Sequence, residues 1–281
     1  MRFTLSFAVL CVSGVTLAAT FNNPTRATPI ARGNTGLNPP RSVLVEYLNE
    51  RSAAAPRTAK LTNAELLRRG LPPHAPARRR LNARPATRSA LPGVTACGYI
   101  RATYSQNGTS IGYLSSQLNE FGEVAFVQAD QSGAQKFDLT YYPDSPNAPV
   151  NLKMRNPVAA ESYLGGVVGY DTATDDIGYG STDYSVLAPT GLTMAHSPPV
   201  YGPNAFNDAT GNDNKIESAI WRYNAIYNTL GVQWINTDGS EPTTHIAYVI
   251  EEPMFVLSGD VNAFYENYGL GASVYFTFVH A

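Results

Sequence analysis

The sequence changes character near residue 90, and this break limits where a folded domain can lie. Residues 1–90 contain fourteen Lys or Arg and three Asp or Glu, whereas residues 91–281 contain six basic and nineteen acidic residues. The net charge of −2 therefore conceals a basic part joined to a strongly acidic one. Sixteen of the seventeen Tyr and both Trp also lie after residue 90. We expect a basic leader followed by one acidic, aromatic-rich globular domain.

The first nineteen residues have the pattern of a secretory signal peptide. Arg2 is followed by an apolar stretch, and the small residues Ala18 and Ala19 follow that stretch. The stretch is shorter than the roughly 20 residues of a membrane-spanning helix, and a buried core helix is the alternative. We therefore predict a signal peptide over residues 1–19 with cleavage after Ala19. The mature protein is then secreted and extracellular, without a membrane segment.

Residues 20–90 are rich in Arg, Pro, Ala, Asn and Thr and have no sustained hydrophobic period. Such a composition lacks the apolar surface that would offset the entropy of ordering, so we predict a disordered basic propeptide or linker. Within it, a capping box between Thr62 and Glu65 predicts a two-turn helix over residues 62–69. Gly70 and Pro72 would end that helix.

Three arginines in a row, ending at Arg80, follow this helix. A secretory endoprotease specific for basic residues would cut after Arg80, which would make the leader a propeptide. A linker that stays attached and an arm for acidic polymers are the alternatives. Nucleic acid is not an expected partner, because the protein is exported and the arm lacks aromatic residues to stack on bases.

The leader also carries a family resemblance. The segment LTNAELLRRGLPP with the Arg-rich sequence after it resembles the leader of uncharacterised secreted proteins of mushroom-forming fungi. Downstream, the resemblance extends to CGYIRATYSQNGTSIGYLS, ESAIWRYN and VQWINTDGS. It implies secretion and a β-rich domain, and it assigns no activity or site residue.

The acidic part, residues 91–281, alternates apolar and polar residues between clusters of turn residues. Residues 98–105 and 110–115 predict a hairpin around Asn107-Gly108, and residues 218–223 predict a second hairpin with residues 230–236. Further strands are expected at 123–129, 136–142, 165–170, 184–188, 245–250, 254–257 and 273–280, with a short helix at 260–268. Eight to ten strands predict an all-β domain, an antiparallel two-sheet sandwich or jelly roll with one short helix near the C-terminus. A closed barrel is the competing topology.

Two residues are candidates for covalent modification, one by disulfide formation and one by glycosylation. Cys97 is the only cysteine left once the signal peptide, with Cys11, is removed. It is therefore either a small buried hydrophobe or the link of a Cys97-bonded dimer, and the oligomeric state stays open. Asn107 begins an Asn-Gly-Thr triplet, so it is a predicted glycosylation site.

The sequence contains no nucleophile elbow and no His-Glu-x-x-His, and we assign no catalytic residue. A glycoside hydrolase would need two carboxyl groups across a cleft. The candidates are Glu161, Asp175-Asp176, Glu217 and Glu251-Glu252. The oxygen-rich loops at residues 171–183 and 207–217 suggest calcium as a hypothesis, although neither matches an EF-hand and turn chemistry explains the same residues. No other cofactor is expected.

An excess of aromatic residues with Asn on a secreted β scaffold is typical of sugar-binding proteins. A lectin-like carbohydrate-binding module is therefore the leading hypothesis, with cell-wall or other glycans as partners. The aromatic residues proposed to contact the ligand are Trp221, Tyr223, Trp234 and Tyr248. Core packing is the alternative role for at least one Trp. An extracellular structural or protein-interaction protein without catalytic activity is the alternative function, assembled through an edge strand or Cys97.

Overall fold

Alternating apolar residues produce the strands of this protein, and the hydrogen bonds of eight strands close them into a barrel. The computed structural model describes residues 36–53, 93–146, 148–269 and 271–281. In chain order the elements are α1 (Arg41–Ala53), β1 (Val94–Tyr104), β2 (Ser110–Leu114), β3 (Val127–Gln128), β4 (Lys136–Tyr141), β5 (Pro149–Val150), β6 (Leu152–Arg155), β7 (Tyr163–Val168), β8 (Tyr184–Thr190), α2 (Ala205–Thr210), β9 (Ile216–Glu217), β10 (Trp221–Asn224), β11 (Thr229–Val232), β12 (His245–Val249), β13 (Met254–Ser258), α3 (Val261–Tyr268) and β14 (Gly271–His280).

The barrel closes because β14 pairs with β12 along one edge and with β1 along the other. The ring runs β1-β4-β6-β7-β8-β13-β12-β14 and is antiparallel throughout. The β1–β14 pairing runs from Gly98 opposite His280 to Tyr104 opposite Val274. The prediction of an all-β domain is confirmed, but the two-sheet sandwich or jelly roll is not, since a sandwich would leave β1 and β14 as separate edges.

The inner face of the barrel carries the residues that the alternation marked as apolar. Ile100 and Ala102 point inward from β1, and Phe276 and Phe278 point inward from β14; all four are buried. Trp221 stacks on Phe276 with ring centroids 6.0 Å apart, so it fills the same interior. Close packing of large rings leaves this barrel solid at its centre.

One wall of the barrel, made of β7, β8, β13 and β12, is buried on both faces. Outward-facing side chains such as Val167, Val186 and Val256 form a second apolar cluster. Phe206 of α2 and Phe264 of α3 are part of that cluster, so both helices cover the outside of this wall. Consecutive residues of these strands are therefore buried, rather than every second one, as the seven buried residues of β8 illustrate.

The remaining strands extend the sheet beyond the ring. β2 and β3 continue from β1, β11, β10 and β5 continue from β14, and β9 pairs with β7. Asn107 lies exposed in the turn between β1 and β2, where its Oδ1 accepts from the amide of Thr109. Cys97 is a half-buried free thiol on β1.

The structure differs from the sequence analysis over residues 36–53. These residues fall in the segment 20–90 that was predicted to be disordered, yet they form an irregular stretch followed by α1, and Leu37 packs against the barrel. Leu37 and Leu44 are buried by contacts with distant parts of the chain, which local periodicity does not reveal. Ala19, Arg80 and the helix expected over 62–69 lie outside the described residues.

Candidate functional site: a polar cavity beside Lys215

The aromatic residues chosen from the sequence are not on an open surface. Trp221 and Trp234 have 0% exposure, and Tyr223 is also buried. The indole of Trp221 donates to the backbone carbonyl of Leu164 at 2.7 Å, which fixes it as a core residue. Tyr248 is half-buried, with its ring 4.7 Å from that of Phe255. Trp221, Tyr223 and Trp234 therefore have no ring face open to a ligand from solvent, and Tyr248 has only part of its surface exposed.

An open cavity of about 190 Å³ lies where β7 ends, close to β9. Most of its surface is polar, and several side chains converge on it. Its lining residues are Val168, Gly169, Tyr170, Thr172, Asp175, Tyr201, Asp213, Asn214 and Lys215. We call it the Lys215 cavity.

Lys215 organises the cavity electrostatically. Its Nζ lies 2.5 Å from Oδ2 of Asp175 and 5.3 Å from the ring centroid of Tyr201. The hydrogen bond with the Asp175 carboxylate raises the pKa of Lys215 above its ordinary value, so the ammonium group stays charged. The cation lies against the ring of Tyr201, which remains 66% exposed. The carboxylate of Asp213 makes no hydrogen bond or ion pair with any described residue.

The loop that carries Asp175 is held in place by buried groups. The indole nitrogen of Trp234 donates to the backbone carbonyl of Asp175 at 3.0 Å. Asn236 bonds both the amide and the carbonyl of Ile177, each at 3.0 Å. Trp234 therefore does not contact solvent, but it positions a residue that does. Loops fixed in this way keep their polar side chains preorganised.

The second wall of the cavity is fixed by an asparagine network. Asn204 caps the N-terminus of α2 by accepting from the amide of Asn207. Asn207 accepts from the amide of Asn214 at 3.0 Å, and Asn214 donates to the carbonyl of Val168 at 2.7 Å. Neighbouring Lys215 is thereby attached to the end of β7.

Protein donors occupy carboxylates in the first of the two loops for which calcium was a hypothesis. In the 171–183 loop, Asp183 accepts from the amide of Ala173, and Asp176 accepts from the amide of Thr237. These carboxylates are engaged with protein donors, which is the turn chemistry that Asp and Asn often perform. Within the part of the chain that the structure describes, no group of three or more His, Cys, Asp or Glu side chains has the arrangement of a metal site.

Three buried glutamates lie outside the Lys215 cavity. Burial raises the pKa of Glu217 to about 9 and that of Glu123 to about 7, and it also raises the pKa of Glu161. Glu217 accepts from the amide of Ile235, at 3.2 Å to the nearer oxygen. Of the acids considered for glycoside hydrolysis, Asp175 alone lines the Lys215 cavity, and Glu251 and Glu252 are exposed in the turn after β12.

Comparison with protein-family models, curated proteins and solved structures finds no match. None of the helices in the described parts of the chain is long and apolar enough to cross a membrane.

Sequence reasoning located part of this site but not its arrangement. Five of the nine lining residues lie in the two oxygen-rich loops, 171–183 and 207–217, for which calcium was the hypothesis. The loop around Tyr201 has no periodic pattern and gave no signal. A weak signal was present, because Lys215 is one of only six basic residues after residue 90. In a domain with so few cations, a Lys among acidic and aromatic residues indicates a position where the charged side chain has a specific role.

Proposed function

We propose that this protein is a secreted carbohydrate-binding module and that the Lys215 cavity holds one sugar unit of a neutral glycan. The observation that carries the proposal is the exposed Tyr201 ring, which lies beside the Lys215–Asp175 pair at a cavity of about 190 Å³. A pyranose ring has one apolar face, which stacks on an aromatic ring, and a rim of hydroxyl groups.

The polar groups of the cavity suit those hydroxyl groups. Asp175 and Asp213 accept hydrogen bonds, and Lys215 donates them. Charge favours a neutral sugar over an acidic one, because residues 91–281 contain nineteen acidic and six basic residues. A domain of that charge repels polyanionic glycans.

Binding is favoured over hydrolysis by where the perturbed carboxyl groups lie. A glycosidase acid needs a raised pKa in the cleft that holds the sugar. Glu123, Glu161 and Glu217, which have raised pKa values, do not line the Lys215 cavity.

The test is a glycan-binding screen with the secreted protein, followed by titration of any hit with Tyr201→Ala. Stacking a sugar on Tyr201 covers about 60 Å² of apolar surface, worth about 1.5 kcal/mol or roughly tenfold in Kd. The matched control is Tyr227→Ala, which removes a Tyr of 71% exposure that is not in the cavity. The proposal fails if no neutral glycan binds, or if both variants bind as the unaltered protein does. Repeating the titration after calcium removal tests the calcium hypothesis.

The second candidate is an extracellular protein-interaction module, and one observation favours it. Ile226 and Tyr227 project together from the tip of the β10–β11 hairpin, with exposures of 82% and 71%. Adjacent exposed apolar side chains are a common anchor for another protein. Loss of a protein partner in Ile226→Ser, combined with a negative glycan screen, supports this function. A dimer that disappears in Cys97→Ser indicates assembly through the free thiol.

A further inference from the structure

Residues 36–53 pack on the outside of the barrel wall that is buried on both faces, the one made of β7, β8, β13 and β12. Leu37 inserts into the outer apolar cluster, and its backbone carbonyl accepts from the hydroxyl of Tyr184 at 2.6 Å. Further along, Leu44 is buried, and the ring of Tyr47 lies so close to Gly211 that any Cβ there would collide with it. The barrel domain thus provides an apolar pocket for Leu37, a hydroxyl donor from Tyr184, and a position without a side chain, Gly211, for the ring of Tyr47.

Between these contacts, Asn38 meets Glu123 in a way that implies a proton. The amide Nδ2 of Asn38 donates to Oε2 of Glu123 at 3.2 Å. The other two oxygens of the pair, Oδ1 of Asn38 and Oε1 of Glu123, are buried without any hydrogen-bond partner. Both are acceptors when the carboxyl group is ionised, so neither can satisfy the other.

A proton on Oε1 of Glu123 removes both deficits at once. The carboxylic acid then donates to Oδ1 of Asn38 while it accepts from Nδ2, and the two groups form a ring with two hydrogen bonds. A protonated carboxyl is accessible here, since burial raises the pKa of Glu123 to about 7. Asn119, which donates to Oε2 at 2.6 Å, holds the carboxyl group in place.

We propose that residues 36–53 are a proton-dependent ligand of the barrel. They are held by Leu37 and by an acid–amide pair between Asn38 and protonated Glu123, and they stay bound after the chain is cut between residues 54 and 92. The occupant of this site is therefore the chain's own leader. A cut in the basic sequence after it would leave the leader bound to the barrel by non-covalent contacts alone.

The direction of the pH dependence follows from linkage. In the docked structure the Glu123 carboxyl is fully buried, and burial raises its pKa to about 7 although the hydrogen bonds from Asn119 and Asn38 act to lower it. The proposal requires that release of residues 36–53 exposes this carboxyl to solvent. The docked state then binds a proton that the undocked state releases above the ordinary pKa of 4.5. Affinity is then highest at low pH and falls by up to about tenfold per pH unit as the pH rises from about 4.5 to 7. Above that window the affinity stays at its lower level.

The other charged or titratable groups near Glu123 act in known directions. Glu252, in the turn after β12, opposes ionisation of Glu123 and adds to the effect. Tyr184 keeps its proton, because burial holds its pKa well above the ordinary value. Glu120 and Arg41 form an exposed ion pair at 2.8 Å. None of these reverses the direction set by burial.

The experiment uses the whole secreted chain with a viral-protease recognition sequence in place of Arg78-Arg79-Arg80. After cutting, gel filtration at pH 5.5 and at pH 8 separates the barrel from any released leader, and mass spectrometry identifies what remains bound. Fluorescence anisotropy of the labelled leader fragment then gives Kd at each pH. We expect co-elution at pH 5.5 and a Kd at least tenfold higher at pH 8.

Glu123→Gln is the decisive variant, because Gln is nearly the same size and pairs with Asn38 through two hydrogen bonds without a proton. Its Kd is expected to differ less than about twofold between the two pH values. Glu120→Gln, which breaks only the exposed ion pair, is the matched control and keeps the pH dependence. The proposal is overturned if the cut leader leaves the barrel at pH 5.5, or if Glu123→Gln retains the tenfold change.

Leu37→Ala separates the apolar contact from the proton. It is expected to raise Kd about tenfold or more at both pH values, because it removes most of a buried side chain. Val45→Ala, which shortens an exposed residue of α1, should leave Kd unchanged. Equal Kd values for these two variants would contradict the assigned position of Leu37.

Discussion

Glu217→Gln should stabilise the protein at neutral pH, because Glu217 folds as a neutral acid. The side chain is 3% exposed, and its oxygens share one backbone donor, the amide of Ile235. Burial raises the pKa of Glu217 from the ordinary 4.5 to about 9. At pH 7 the unfolded chain carries an ionised Glu217 and the folded chain a protonated one, so folding must take up a proton.

The size of the effect follows from linkage. The unfolded state binds fewer protons than the folded state at this site, so the free energy of unfolding falls as the pH rises from about 4.5 to 9. The slope is about 1.4 kcal/mol per pH unit. Glu217→Gln accepts the same bond from Ile235 and removes the proton uptake. At pH 7 its advantage approaches about 3 kcal/mol, less whatever the new amide group loses in an imperfect fit.

The assay is urea denaturation at pH 5, 6, 7 and 8, followed by fluorescence of the buried Trp221 and Trp234. The informative quantity is the difference between Glu217→Gln and the unaltered protein, since other groups titrate equally in both. That difference should grow by about 1.4 kcal/mol for each pH unit. Glu251→Gln, at an exposed turn position, should give a constant difference near zero. A flat difference for Glu217→Gln between pH 5 and 8 would refute the buried neutral acid.

Three further outcomes follow from single contacts. Gly122→Ala should lower the free energy of unfolding by about 2 kcal/mol or more in urea titrations, because Gly122 has φ of 77° and its Cβ would collide with the backbone oxygen of Ala205. Trp234→Phe should cost about 1–3 kcal/mol in the same titrations, because the carbonyl of Asp175 loses its donor. It should also weaken glycan binding at the Lys215 cavity. Tyr184→Phe should raise the Kd of the cut leader about fivefold in the anisotropy assay, because the carbonyl of Leu37 loses its hydrogen bond.

Local pattern was enough to predict most strands and the C-terminal helix. Strict alternation on β14 placed Phe276 and Phe278 on one face, and both are buried. Asp260 begins α3 by accepting from the amides of Asn262 and Ala263, as a capping residue does. The hairpin of β10 and β11 was also predicted, and the structure adds its register, with Trp221 opposite Val232. These features depend on residues that are neighbours in the chain.

Features that depend on distant partners could not be predicted. Barrel closure requires β1 to pair with β14, and no local pattern distinguishes that ring from two stacked sheets. The two-residue strand β9 has no period of its own, although it buries Glu217. The six-residue α2 is too short for a hydrophobic stripe. The candidate site could not be predicted for the same reason. The exposure of Tyr201 and the burial of Trp234 depend on which distant parts of the chain pack against each residue.

Two electrostatic effects on leader docking oppose each other, and their magnitudes decide the outcome. Acidification reduces the negative charge of the domain and so weakens its attraction for the basic leader. The Arg41–Glu120 contact, which lies within the described residues, is exposed on both sides, and pairs of this kind contribute about 0–1 kcal/mol. The buried Glu123 changes docking by up to about 1.4 kcal/mol per pH unit and is little screened.

Between pH 5 and 7 the Glu123 effect should therefore dominate, and salt distinguishes the two. Raising NaCl from 0.05 to 0.5 M should weaken docking of the cut leader by less than about threefold at each pH, because it screens only the surface pairs. The ratio of the Kd values at pH 8 and pH 5.5 should not change. A ratio that shrinks with salt would mean that surface charge, and not the acid–amide pair, makes docking depend on pH.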